Sequence, residues 1–237
     1  MSIDIQTTTD PEVAAKFIAS KILKQLEISN KVLWFVPGGS AITVAVEAAK
    51  IISHTYKHTY ANTYNNLTVT LTDERFGRVG HKDSNWRELI ERGFNLPEAK
   101  LLPVLNIYTE RSRSMTTEKF NTIIGDELQK ADYRIGLFGV GADGHTAGIL
   151  PLSAAVSAKE WACSYQAPKF ERVTITSKTI DKLDEAVVWA QGREKWRVIK
   201  DIIEKEIDLN LQPAQVLREV KRLTIFTDYI GGHKINQ

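Results

Sequence analysis

The feature that most constrains this chain is a repeated one: a short apolar run that stops abruptly at a glycine-rich or charged loop. Val32-Leu33-Trp34-Phe35-Val36 stops at Pro37-Gly38-Gly39-Ser40. Residues 67–72 stop at Asp73-Glu74-Arg75, and residues 134–138 stop at Gly139-Val140-Gly141-Ala142-Asp143-Gly144-His145. Residues 186–190 stop just before Gly192-Arg193-Glu194-Lys195. Runs of this length, rich in β-branched and aromatic residues, read as buried strands. Residues 172–176 and 223–227 read the same way.

Between the runs lie helical patterns. Asp10-Pro11-Glu12 supplies a cap, a first-turn proline and an acid at the positive end of the helix dipole. Val13, Ala14, Phe17, Ile18, Ile22 and Leu26 then recur at helical spacing. Residues 41–52, 115–129, 194–206 and 214–221 are further predicted helices, and Asp83-Ser84-Asn85 opens another that runs to Glu91. Residues 54–66 are polar and read as a loop. Alternating strands and helices predict an α/β fold, a mostly parallel sheet flanked by helices on both faces. Ligands of such sheets bind beyond the carboxyl ends of the strands, where the polar loops of this chain fall.

The chain has 237 residues, enough to bury a large core without staples, and one domain over residues 1–237 is the simplest reading. A formal net charge of +2 offers no basic field for nucleic acid. No apolar stretch is long enough to span a bilayer, and residues 1–10 are polar and acidic, unlike a signal peptide. Cys163, the sole cysteine, cannot form an intrachain disulfide and lies outside every motif. A cytoplasmic protein acting on a small molecule is expected; composition gives no oligomeric state.

Residues 139–144 have the Gly-x-Gly-x-x-Gly spacing of a dinucleotide fingerprint. That fingerprint needs a long following helix and an acidic end to the next strand. Here Gly148 and Pro151 leave room only for a short helix, and residues 172–176 end in threonine. The dinucleotide reading is rejected. Asp143 and His145, beside three glycines, suit proton transfer, an imidazole oriented by a carboxylate. Spacing alone serves a capped turn equally well. Gly38-Gly39-Ser40 at a helix start suits phosphate. Lys195, in a first helical turn, opposes the dipole unless an anion sits there. Each of these, taken singly, is also consistent with an ordinary turn or a solvated side chain.

Together, and in this order, they resemble the 6-phosphogluconolactonase family, over residues 34–228. Gly38-Gly39-Ser40 is similar to its phosphate loop, Asp73-Glu74-Arg75 with Asp83-Ser84-Asn85 to its second motif, and Gly139 through His145-Thr146-Ala147 to its most specific signature. Pro168, Arg172 through Thr176, Gly192-x-x-Lys195, Pro213-Ala214 and Asp228 also fit. The resemblance implies a modified Rossmann-like fold of the NagB/RpiA/CoA transferase-like class, shared with glucosamine-6-phosphate deaminases. It implies hydrolysis of 6-phospho-D-glucono-1,5-lactone in the oxidative pentose phosphate pathway, with no metal or cofactor.

The resemblance also implies roles. His145 is the general base, Asp143 orients it, and Arg75 stabilises the oxyanion or holds sugar oxygens. Gly38, Gly39, Ser40, Arg172 and Lys195 hold the phosphate, and Asp73 and Glu74, in the substrate-binding set, support Arg75. Two alternatives remain. A deaminase or isomerase shares the Gly-x-Asp-Gly-His loop but continues into Phe-Asn-Glu-Pro, whereas this chain has Gly148-Ile149-Leu150-Pro151. A non-catalytic sugar-phosphate binder is hinted at only by Ser40-Ala41-Ile42, where the family has Ser-Thr-Pro.

Overall fold

The computed structural model describes residues 2–59 and 66–230. Its strands are β1 (Ser2–Thr7), β2 (Val32–Val36), β3 (Leu67–Leu71), β4 (Asp73–Arg75), β5 (Lys100–Leu102), β6 (Tyr133–Phe138), β7 (Ala162–Gln166), β8 (Glu171–Ile175), β9 (Glu185–Ala190) and β10 (Arg222–Thr227). Its α-helices are α1 (Pro11–Glu27), α2 (Ile42–Thr59), α3 (Asn85–Glu91), α4 (Arg113–Lys130), α5 (Ser177–Ile180) and α6 (Arg193–Glu204). Short 3₁₀ helices occupy Gly39–Ala41 and Pro213–Glu219.

Seven strands form one parallel sheet in the order β1-β10-β9-β6-β2-β3-β5. From β2 the chain steps outward through β3 to β5; from β6 it steps the other way through β9 to β10. The sheet therefore switches direction between β2 and β6, and a crevice opens beyond their carboxyl ends. The strands flanking that point are buried on both faces, as parallel strands under helices must be: every residue of β2, β3 and β9 is buried.

The first helix forms as the sequence reading expects. Asp10 caps α1 by accepting the Glu12 N–H at 2.9 Å, with Pro11 in its first turn. Ala14, Ala15, Ile18, Ala19, Ile22 and Leu26 bury one face, and α1 packs on α2.

Four expectations are corrected. Strand β8 does not join the parallel sheet. It pairs antiparallel with β4 and β7 in a separate three-stranded sheet, so Arg172 faces Arg75 across a ladder. No helix follows His145: Thr146 bridges Val140 and Ile149, and the chain turns back on itself before β7. The predicted loop over residues 54–66 begins later, because α2 continues to Thr59; residues 60–65 lie outside the described residues. The segment predicted as a helix at 214–221 is the 3₁₀ helix.

Candidate active site

Four loops meet at the switch point, following β2, β3, β6 and β9. With Arg172 of β8 they enclose a cleft of about 260 Å³, lined by Pro37, Gly38, Gly39, Ser40, Thr72, Asp73, Arg75, Asn85, Gly139, Val140, Gly141, His145, Ala147, Gly148, Arg172 and Lys195. Typical ligand pockets are about 300–1,000 Å³, so this is a site for a small metabolite. Eight of the ten residues singled out from the sequence line it. Asp143 and Glu74 do not, and each instead holds a residue that does.

Nδ1 of His145 lies 2.6 Å from Oδ1 of Asp143, which also accepts the His145 backbone N–H at 3.2 Å. A carboxylate only accepts, so Nδ1 carries a proton, and in the neutral ring the lone pair is on Nε2. Partial burial opposes ionisation of Asp143. The charge of His145 and the hydrogen bonds from its amide and ring outweigh that and hold the Asp143 carboxyl below its usual range. The imidazole, 37% exposed, is open to the cleft. The loop admits the pair only because residue 141 is glycine. A Cβ there would sit 2.2 Å from Nδ1 of His145 and 2.5 Å from Oδ1 of Asp143.

The same loop is closed by the Gly141 N–H to the His145 carbonyl, at 2.9 Å, and by the Thr146 hydroxyl to the Gly139 carbonyl, also at 2.9 Å. Ala147 then adopts a left-handed φ of 48°. Its carbonyl accepts the buried Thr174 hydroxyl of β8, which ties the loop to the small sheet. The Tyr165 hydroxyl donates to the Gly148 carbonyl at 2.6 Å and accepts the Leu150 N–H at 3.3 Å.

On the other wall, Asp73 is buried and its Oδ2 takes Nη1 of Arg172 at 2.9 Å. Arg172 therefore enters the cleft as half of a neutral pair rather than as a free cation. Arg75 donates from Nη1 to the Asp83 carbonyl at 2.9 Å and lies over the Phe170 ring at 5.2 Å. Among the described residues Arg75 and Lys195 have no carboxylate partner, so they give the cleft its uncompensated positive charge.

Glu74 does not line the cleft; it holds Arg75 and the start of α3 from behind. It is fully buried, and its carboxylate accepts the N–H groups of Arg75, Asn85 and Trp86 at 2.7, 2.6 and 3.0 Å and the Ser84 hydroxyl at 2.9 Å. A carboxylate at the start of α3 satisfies orphan amides and meets the positive end of the dipole. Burial pushes its carboxyl above the usual range, against the pull of those donors.

Asn85 is the site residue that the sequence reading left out of the cleft. Its Nδ2 donates to the Asp73 carbonyl at 2.9 Å, and its Oδ1 is buried with no partner. A Cβ on Gly38 would lie 2.3 Å from that oxygen, so Asn85 packs directly beneath the first turn. Its place in Asp83-Ser84-Asn85, directly after a charged strand end, was the available signal.

Gly38 and Gly39 open the 3₁₀ turn that runs into α2, with Gly39 at a φ of 70°. Ala41 and Ile42 point into the core and are fully buried, so Ser40 offers the one hydroxyl of this turn. Lys195 stands in the first turn of α6. That turn is anchored by Asp228, whose carboxylate accepts the Gly192 N–H at 3.1 Å and Nε1–H of Trp196 at 2.9 Å.

Residues 10–226 match the model of the glucosamine-6-phosphate isomerases/6-phosphogluconolactonase family. The chain belongs to that family. A 6-phosphogluconolactonase of Helicobacter pylori is 26% identical over 163 residues, 66% of this chain and 69% of that protein. One from Chlamydia pneumoniae is 22% identical over 139 residues, and there the match spans about half, 52%, of the relative's length. Among solved structures, the 6-phosphogluconolactonase of Thermotoga maritima superposes with a TM-score of 0.75 at 22% identity, covering 95% of this chain and 99% of that one. A monomeric glucosamine-6-phosphate deaminase superposes with a TM-score of 0.72 at 16% identity, covering 94% and 96%. A lactonase and a deaminase thus both share the fold of this chain. Leu150 does not line the cleft; it packs partly buried against the core.

Among the described residues no group of His, Cys, Asp and Glu is arranged to hold a metal ion. No helix there is long and apolar enough to cross a membrane.

Proposed function

We propose that this chain hydrolyses 6-phospho-D-glucono-1,5-lactone to 6-phospho-D-gluconate, with His145 as general base. The observation that carries the reading is the His145–Asp143 pair, its free Nε2 open to a cleft that also holds Arg75, Lys195 and the Gly38–Ser40 turn leading into α2.

Nε2 of His145 takes a proton from a water molecule, whose oxygen attacks the lactone carbonyl. The carbonyl π electrons move onto oxygen, and Arg75, lacking a carboxylate partner, stabilises that oxyanion. Stabilisation of this kind is commonly the largest single catalytic contribution. As the intermediate collapses the bond to the ring oxygen breaks, and the imidazolium returns its proton to that oxygen. The products are a hydroxyl and a carboxylic acid, which ionises in water. Asp143 keeps the proton on Nδ1 throughout and stabilises the transient imidazolium. The phosphate sits against the Gly38–Ser40 amides at the positive end of α2, facing Lys195.

Deamination is disfavoured by one residue. Leu150 stands where the resemblance places a glutamate in the deaminases, and a leucine carries no proton. The test is an assay on freshly made lactone, coupled to oxidation of the product and corrected for spontaneous opening. Turnover above the uncatalysed rate supports the proposal. Ammonia release from glucosamine 6-phosphate, with no lactone turnover, overturns it.

A further inference from the structure

His81 lies outside the cleft, in the loop between β4 and α3, and both of its ring nitrogens are engaged. Nε2 is 2.9 Å from the Arg75 carbonyl, and Nδ1 is 3.3 Å from the Asp83 backbone nitrogen. These partners define the tautomer. A carbonyl only accepts, so Nε2 bears the proton; a backbone amide only donates, so Nδ1 bears the lone pair. His81 is therefore a neutral imidazole bridging the two ends of the loop.

The Arg75 side chain closes the same loop from the other side, Nη1 donating to the Asp83 carbonyl at 2.9 Å. Asp83 is thus gripped at its N–H by His81 and at its C=O by Arg75, while His81 also holds the Arg75 backbone. The Arg75 backbone reaches Asp83 through the imidazole, and the guanidinium reaches it directly. The place for that ring is shaped for it: a Cβ on Gly77 would fall 2.8 Å from Cδ2 and 3.0 Å from Nε2 of His81. The His81 N–H to Arg78 carbonyl and Ser84 N–H to His81 carbonyl bonds, at 3.1 and 3.0 Å, complete the turn. Nη1 of Arg75 is the atom that the Asp83 carbonyl aims, and Nε of Arg75 is buried without a partner. Without the imidazole, Asp83 keeps the turn bonds and the Glu74 contacts of its neighbours Ser84 and Asn85, but none of these holds its own N–H.

We propose that His81 is a positioning residue, which sets the direction of the Arg75 guanidinium toward the reacting carbonyl without touching substrate. The proposal rests on the reading of Arg75 as the oxyanion contact. A small misplacement of such a group is expensive in rate, because the donor must already be aimed at where charge develops.

The test is a double-mutant cycle on lactone turnover with His81→Ala, Arg75→Ala and the pair. In the wild-type background His81→Ala should lower kcat by about 10-fold and change KM by less than about 2-fold, as loss of an interaction made in the transition state does. In the Arg75→Ala background the same substitution should cost less than about 2-fold, since residues that act through one another are not additive. Wild-type kinetics in Arg75→Ala overturn the role given to Arg75, and the proposal with it. An impaired Arg75→Ala in which His81→Ala costs the same as in the wild type overturns the proposal alone, as does a His81→Ala effect confined to KM. If His81→Ala does not fold, Gly77→Ala replaces it in the cycle. It keeps the imidazole and displaces it, and the same outcomes decide.

Discussion

The 2.6 Å contact between Nδ1 of His145 and Oδ1 of Asp143 fixes which nitrogen of the imidazole faces the cleft as a base. His145→Ala should therefore lower kcat by about 10²–10⁴-fold, the range for loss of a general base. Asp143→Asn tests the tautomer. An amide nitrogen can donate to Nδ1 and leave the proton on Nε2, so the ring is retained but is no longer a base. A fall in kcat approaching that of His145→Ala, with KM little changed, is expected in steady-state assays. An Asp143→Asn enzyme at wild-type rate would separate the pair from the chemistry.

The same pair predicts a pH dependence of stability. The folded-state carboxyl of Asp143 is held below the unfolded value of about 3.9. Its contribution is thus present above that value and is lost as pH falls through the lower folded value. The melting temperature of the wild type should exceed that of Asp143→Asn near pH 5, and the gap should narrow between about pH 4 and pH 2. A gap that widened on acidification would be the sign of a raised carboxyl instead.

Lys195 should act on binding. Among the described residues it has no anionic partner, and the anchoring of its turn by Asp228 does not neutralise it. Hydrogen bonds to charged groups contribute about 1.5–3 kcal/mol, so Lys195→Ala should raise KM by about 10–100-fold with a smaller effect on kcat. Competitive inhibition by 6-phosphogluconate should weaken in parallel, while inhibition by unphosphorylated gluconate should not. An unchanged KM would move the phosphate away from α6.

What the sequence disclosed follows from where side chains sit. The apolar runs of β2, β3, β6 and β9 are buried on both faces, so composition alone marks them, and the loops they deliver line the cleft. Strand β1 was not legible because it is an edge strand: Ser2–Thr7 is polar, half in solvent, and defined by its parallel pairing with β10. Strand β7 pairs only within the small antiparallel sheet and has a mixed burial pattern with no clean alternation. Strand β8 was legible as a strand but not as a member of that sheet, because pairing partners are a tertiary property. Glu74 illustrates the limit at the site. Three consecutive charged residues at a strand end look equally functional in sequence, yet Asp73 and Arg75 point to the cleft while Glu74, between them, points the opposite way into α3. Alternation along a strand separates such neighbours, but β4 is too short for its direction to be read in advance.

Gly148 offers a test of the far wall. Its φ is 72°, and a Cβ there would fall 2.6 Å from Oδ2 of Asp73, the oxygen that pairs with Arg172. Gly148→Ala thus meets two obstacles, a left-handed backbone and a buried carboxylate that can move only by releasing its arginine. Strain and a broken buried pair are among the few causes of large single-site losses, so destabilisation of about 2–4 kcal/mol in urea unfolding is expected. The kinetic consequence distinguishes this wall from the histidine loop. Freed from Asp73, Arg172 becomes a third uncompensated cation in the cleft, and the residual folded enzyme should show an altered KM and an altered salt dependence of KM. Gly141→Ala, whose Cβ would meet His145 and Asp143 instead, should lose kcat with KM preserved. If both substitutions produced the same kinetic phenotype, the separation of the His145–Asp143 proton-transfer wall from the Asp73–Arg172 pair would be wrong.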